Sequence, residues 1–328
     1  MKKILFAGLI LTCLQTNAQV LRNRTITLMG SRWGITLVAK DSLTTEQQID
    51  TVIAEVTRIE NLISDWRSET QISQVNANAG LKPVKVDAEV FALTKRALQL
   101  SRSSEGAFDI SFAAMDRIWK FDGSMKTMPS PERIKQSVEK VGYKNIILDS
   151  VNSTIYLKLK GMKIGFGALG EGYAADKSRA MMLERGITAG IVNGSGDMST
   201  WGKQPNGKPW TVGITNPLKE GALIQVVPLR HGAVVTSGSY EKFVEFNGKR
   251  YSHIINPSTG YPATGLCSVT IFGPNAETAN GLSTTMMVLG KDAAHQFIKK
   301  FPEYSYIMIT DSGKIYSSPS LKFKKRKV

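Results

Sequence analysis

The chain has 328 residues, 42% hydrophobic and 21% charged, with a formal net charge of +15. That is ordinary globular composition with enough apolar material for a large core. The charge does not make a nucleic-acid-binding protein. Two cations (Lys2, Lys3) sit at one end and five (Lys322, Lys324, Lys325, Arg326, Lys327) at the other, and elsewhere Lys and Arg alternate with Asp and Glu. With no clustered basic–aromatic module, a surface that attracts an anionic ligand or acidic lipid headgroups fits better.

In chain order, "MKKILFAGLILTCLQTNAQV" carries two lysines, an apolar run from Ile4 to Leu14 and a polar stretch to Ala18. It reads as a secretory signal peptide cleaved after Ala18, since the apolar run is too short to span a membrane. Lipidation at Cys13 is the alternative. Cleavage leaves Cys267 as the one cysteine, which excludes an internal disulfide; its apolar neighbours predict a buried strand residue. Export predicts a periplasmic protein.

Residues 25–39 read as a strand pair broken at Gly-Ser. Ile49, Val52, Ile53, Val56, Ile59 and Ile63 have helical spacing behind a Thr cap. A second helix covers "DAEVFALTKRALQLSRSSEG", closed by Gly106. A third covers "PSPERIKQSVEKVG", from a Ser-Pro cap to Gly142. Residues 145–167 predict a hairpin of alternating strands. A fourth helix over 172–186 precedes "AGIVNGSGDMSTWG", a strand running into a Gly-rich turn. Six strand-like runs follow between 210 and 273, then helices over 275–290 and 291–302 and a strand at 305–311. No repeat, linker or domain break interrupts residues 19–328. The expectation is one α/β (α+β) domain with largely antiparallel sheets and packed helices.

Several stretches carry chemistry. The glycines of "IGFGALGEGYAAD" (Ile164 to Asp176) let backbone approach a ligand and place N–H groups at a helix N-terminus. The loop matches neither the dinucleotide fingerprint nor Walker A spacing, so a tight structural turn explains it equally well. "VNGSGDMSTWG" reads as a structural turn. In "ETANGLSTTMM", Asn280, Ser283 and Thr284 share one helix face, where their oxygens suit a hard cation such as Mg²⁺; capping hydroxyls are the simpler explanation. His253, in "RYSHIINPSTGYP", sits at a strand end before a tight turn, as a satisfied core histidine or as a proton acceptor facing a substrate.

Taken together, "MGSRWGITL", "DWRSETQISQVN", "EGAFDIS", "FGALGEGYAADKSRAMMLERG", "VNGSGDMSTWG", "VVTSGSYEKF", "YSHIINPSTGYP" and "SVTIFGPNAETANGLSTTMMVLG" come in an order that closely resembles the ApbE family, the FAD:protein FMN transferases. The resemblance runs from about Thr25 to about Tyr316. It implies an exported enzyme that uses FAD and Mg²⁺, cuts the FAD pyrophosphate, releases AMP and attaches FMN by a phosphoester to a Ser or Thr of an acceptor protein. Such acceptors are subunits of membrane redox complexes. By the same resemblance, Met29, Trp66 (in place of a usual Tyr), Ala107, Phe108, Asp109, Gly165, Glu171 and Ile255 contact FAD. Ala168, Asn280, Ser283 and Thr284 hold the metal, and His253 is the catalytic base.

Three positions depart from the family pattern. Asn256, Asn280 and Gly165 stand where Asp is usual. Each loses a negative charge from a site that takes a cation, which predicts weak or altered metal binding. A member that binds or hydrolyses FAD without modifying a partner is the alternative function.

Overall fold

The computed structural model describes residues 19–115, 118–219, 221–229, 232–240 and 242–321. The leader with Cys13 and Ala18, and the basic tail from Lys322, lie outside the described residues. In chain order the elements are β1 (Val20–Leu28), β2 (Ser31–Ala39), α1 (Ser42–Ile63), α2 (Gln71–Ala77), β3 (Val84–Lys85), α3 (Ala88–Ser103), α4 (Pro131–Ser137), β4 (Ile146–Asp149) and β5 (Thr154–Leu157). Then come α5 (Gly170–Glu184), β6 (Ala189–Gly194), β7 (Asp197–Trp201), β8 (Trp210–Thr215), β9 (Leu223–Leu229), β10 (Gly232–Gly238), β11 (Phe243–Phe246) and β12 (Lys249–Ser252). The last are β13 (Leu266–Gly273), α6 (Ala276–Phe297), β14 (Ser305–Thr310) and β15 (Ile315–Ser317).

One eight-stranded sheet, ordered β1-β2-β6-β7-β10-β13-β14-β15, organises the molecule. All its neighbouring strands are antiparallel. Side chains alternate between its faces. Trp33, Ile35, Leu37, Val192, Val235, Val269, Ile271 and Met308 point to one side, into the core built with α1, α3, α5 and α6. Val234, Phe272, Ile307 and Ile309 point to the other, where Ile214 of the β8–β9 hairpin covers them. β13 is buried on both faces from Leu266 to Phe272, its polar Ser268 and Thr270 included, with Cys267 buried in it as expected.

α1 buries Ile49, Val52, Val56, Ile59 and Ile63 on one stripe, while Ile53 lies on its flank. Its cap is Asp41 rather than a threonine, and the carboxylate accepts from Thr44 N–H at 2.7 Å, so the helix begins earlier than expected. The third predicted helix stops at Ser137, short of Gly142. The two predicted C-terminal helices form α6, with a break at Gly290, whose φ of 71° and ψ of 173° are not helical. Helix α2 was not foreseen; its seven residues are too few for a clear period.

The hairpin expected over 145–167 is shorter: β4 pairs with β5, and the chain leaves the sheet after Leu157. A turn at Gly161 (φ 75°) breaks the ladder, with Met162 N–H bonded to the Leu159 carbonyl at 3.0 Å. Beyond it Ile164 pairs with a side chain instead of a strand. Asn76 of α2 donates its Nδ2 to the Ile164 carbonyl (2.9 Å) and accepts the Ile164 N–H on Oδ1 (2.8 Å). The Gly-rich loop is therefore hung from an asparagine amide and does not follow a strand.

Helices α5 and α6 meet at close range. A Cβ at Gly172 would lie 2.5 Å from the Ala276 carbonyl oxygen, so glycine is what lets the helices touch. Beside that contact the partly buried Asp176 carboxylate accepts from Ala276 N–H (2.6 Å), Glu277 N–H (2.9 Å) and Ser199 Oγ–H (2.9 Å). One side chain on α5 thus caps α6 and holds β7. Asp176→Ala leaves two helix N–H groups without an acceptor in a dry setting and should cost about 1–3 kcal/mol. Urea unfolding followed by circular dichroism should show a lower midpoint at an unchanged slope.

Candidate functional site

The site is assembled from five segments at one edge of the α-helical face. The first is the β1–β2 turn. Leu28 pairs with Ser31, so Met29 and Gly30 form a two-residue turn with φ of 51° and 72°. Such a turn ordinarily takes Asn or Gly, and a methionine in the left-handed region is strained by about 1 kcal/mol or more. Its N–H donates to Glu60 Oε2 at 3.2 Å, and its Cε reaches the Gly170 backbone, where a Cβ would come within 3.3 Å. Strain of this kind persists where a side chain is wanted at a given spot.

The second segment is the Gly-rich loop. Glu171 opens α5, half-buried, and accepts from Ser31 Oγ–H at 2.5 Å. Burial lifts its carboxyl above the usual range, opposed by the Ser31 bond and by the positive charge of Lys242. Gly165 N–H donates to the Ile110 carbonyl (3.0 Å). A side chain at 165 would meet Ala113 (3.1 Å) and the Asp65 carboxylate (3.2 Å). Ala168 is half-buried against the core. Trp66, next to Asp65, is 73% exposed, a large aromatic at the protein surface.

Third comes "GAFD". Phe108 is buried with Leu100 and Leu169 around Gly281, where it supports the loop from beneath. Asp109 is buried too, and its oxygens are committed: to Ser111 N–H (2.8 Å), Ser111 Oγ–H (2.6 Å) and Tyr143 N–H (2.7 Å). It works inside the protein as a turn-holder beside Ala107, with its carboxyl raised by burial.

The fourth segment is α6. Asn280 is buried, Ser283 fully buried and Thr284 half-buried, on one face as their spacing predicts. Ser283 Oγ–H donates to the Asn280 carbonyl (2.9 Å), and Ser237 of β10 bonds Ser283 Oγ (2.7 Å) and Thr284 Oγ1 (3.4 Å). Ser283 therefore ties helix to sheet, which leaves Asn280 and Thr284 as the groups placed for a cation. Ser237 was not singled out from sequence; the "TSG" at a strand end was its one signal. Asn280 Nδ2 also donates to the buried Asp197 carboxylate at the start of β7. This oxygen-only set suits a hard cation such as Mg²⁺. Among the described residues no group of three or more His, Cys, Asp or Glu is placed to hold a metal ion.

The fifth segment carries His253, one residue beyond β12 and so off the strand that the sequence predicts over "RYSHIIN". Its N–H and its Nδ1 both reach the Lys242 carbonyl, at 3.0 and 3.1 Å. A carbonyl oxygen only accepts, so Nδ1 carries the proton and Nε2 presents a lone pair in the neutral ring. Burial is the main cause that lowers the imidazole pKa, and the Lys242 charge adds to it. Phe121 packs edge-on against the ring, with centroids 6.3 Å apart.

All three departures from the expected pattern are set in context by the structure. Asn256 Oδ1 accepts from Ser258 N–H (2.9 Å) while its carbonyl accepts from Gly260 N–H (2.9 Å). It closes the Pro-Ser-Thr-Gly turn, a task for which a neutral amide suffices. The expectation of a charge lost there is corrected. At Gly165 and Asn280 a carboxylate stands alongside, from Asp65 and Asp197. Ile255 bridges to Pro262 and packs on a peripheral apolar cluster with Trp119 and Ile134.

The fold is an α+β architecture in which the β1–β2 turn meets the Gly-rich start of α5 and α5 meets α6. The chain belongs to the ApbE family, whose model matches residues 29–308. A protein of Salmonella typhimurium named FAD:protein FMN transferase is 30% identical over 93% of this chain and 89% of its own length. One of Treponema pallidum with the same name is 31% identical over 80% of this chain and 76% of its own. The ApbE protein structure from Thermotoga maritima superposes with a TM-score of 0.85 at 30% identity, covering 94% of this chain and all of that one. The apo flavinyl transferase ApbE of Pseudomonas stutzeri gives 0.80 at 26% identity, covering 92% of this chain and 96% of that one.

Because the folded-state pKa of His253 lies below the unfolded value, its protonation opposes folding as pH falls through the ordinary 6.5 and has no effect well above it. A ¹⁵N-resolved titration of the imidazole should give a midpoint below 6.5, with Nδ1 as the protonated nitrogen at pH 7.5. A midpoint at or above that value would contradict the buried, carbonyl-held ring.

Proposed function

We propose that this protein is an FAD:protein FMN transferase, which cuts the FAD pyrophosphate and esterifies FMN onto a Ser or Thr hydroxyl of an acceptor protein. The observation that carries the reading is the His253–Lys242 contact, which leaves Nε2 unprotonated and ready to accept the proton of an attacking hydroxyl. The acceptor oxygen bonds to the FMN phosphorus as its proton passes to Nε2. The bond to the AMP phosphate breaks, and AMP leaves with the bonding electrons. Trp66 and Met29 offer faces for a planar ring. The N–H groups at the start of α5 and the Lys242 charge favour the anionic diphosphate. Asn280 and Thr284 would hold Mg²⁺, which when bound neutralises charge on phosphate oxygens.

The relatives' shared name supports a protein acceptor, and the leader-like first residues support placing the chemistry outside the cytoplasm; we propose a subunit of a membrane redox complex as that acceptor. Among the described residues no helix is long and apolar enough to cross a membrane. Incubation with FAD, Mg²⁺ and a candidate acceptor domain should raise the acceptor's intact mass by one esterified FMN. His253→Ala should lower the labelling rate at least 100-fold. AMP release with no mass gain, while a second family enzyme labels the same acceptor, would replace this reading with FAD hydrolysis.

A further inference from the structure

We infer that Asp197 is the positioning carboxylate of the cation site: it orients the Asn280 amide and supplies the negative charge that position 280 lacks. This rests on the cation-site reading of Asn280 and Thr284. Asp197 and Asn280 are each 6% exposed, and they touch through Asn280 Nδ2. Asp197 follows the two-residue turn Ser195–Gly196, with φ of 50° and 108°, and begins β7. Alternation along β7 puts it on the same face as Ser199, which bonds Asp176 at the foot of α6. The turn and the strand thus aim a carboxylate at the second turn of the helix.

The chemistry follows from donor and acceptor inventory. An ionised carboxylate only accepts, so the Asn280 amide must turn its nitrogen to Asp197 and its oxygen elsewhere. That choice makes Asn280 a ligand, since an amide nitrogen has no lone pair to offer a cation. Two neutral oxygens alone hold Mg²⁺ weakly, because such sites draw on one or two carboxylates. A carboxylate one bond behind the ligand restores the charge and polarises the amide oxygen. Outer partners of this kind typically change metal affinity 10–100-fold.

Calorimetric titration of the whole protein with MgCl₂ tests the assignment across Asp197→Asn, Thr284→Ala and the double exchange Asp197→Asn/Asn280→Asp. The expected result is a 10–100-fold weaker Kd for Asp197→Asn and recovery to within about threefold in the double exchange. The exchange keeps one amide and one carboxylate in the pair. The rise in melting temperature on adding Mg²⁺ should shrink in Asp197→Asn and return in the exchange. A purely structural Asp197 would lower the melting temperature equally with and without Mg²⁺, and that result overturns the proposal. Loss of binding in Thr284→Ala with none in Asp197→Asn overturns it while the cation site stands. Unchanged binding in both variants overturns the cation site and the proposal together. Should Asp197→Asn fail to fold, the exchange still decides: weakened Mg²⁺ binding in a folded exchange variant overturns the proposal.

Discussion

The partly buried Asp176 carboxylate is the interaction on which the joint between α5, α6 and β7 depends. It accepts two N–H groups from the first turn of α6 and a hydroxyl from β7, and its own helix begins at the Gly-rich loop. Three segments that carry chemistry are thereby referred to one point: the loop before α5, the Asn280–Thr284 face and the strand that starts at Asp197. Burial raises the Asp176 carboxyl above its ordinary range, while the N–H groups and Arg179 favour the charged form. The charge is kept because a helix N-terminus is a good place for it. Gly172 completes the joint, since any side chain there would push α6 off the loop.

Around that joint, negative charge belongs to neighbourhoods more than to positions. Asp65 stands against Gly165, and Asp197 against Asn280, although neither is near its neighbour in sequence. Under the proposed function, a site for a cation and a diphosphate would need a certain field at a certain place. Which strand or helix supplies the carboxylate matters less than where its oxygens lie. Position-by-position comparison with a family pattern overstates the change for this reason.

Much of the fold was legible from period and punctuation. The α1 stripe, the β1–β2 pair and the glycine break in α6 follow from local spacing. The turn read in "VNGSGDMSTWG" is the bend of a hairpin, since Asp197–Trp201 returns as the strand β7. What stayed hidden was non-local. Nothing near Ile164 says that its backbone will pair with the Asn76 side chain, so the hairpin was extended too far. Ser237 gains its place only when β10 is laid against α6, and Asp197 only when β7 is. Asp109, placed at the FAD site by the family resemblance alone, has its oxygens bonded to Ser111 and Tyr143, which no local pattern announces. Asn256 was legible as part of a turn, but whether its side chain faced the turn or the cleft depended on one hydrogen bond.

The contrast among the five tryptophans has an optical consequence. Trp33, Trp119, Trp201 and Trp210 are at most 5% exposed, whereas Trp66 is 73% exposed. Four indoles emit from apolar surroundings at shorter wavelength, and one emits from a wetter setting at longer wavelength. The red edge of the intrinsic fluorescence therefore reports on the surroundings of Trp66. Whatever covers that indole shifts the edge, and no label has to be attached to read it.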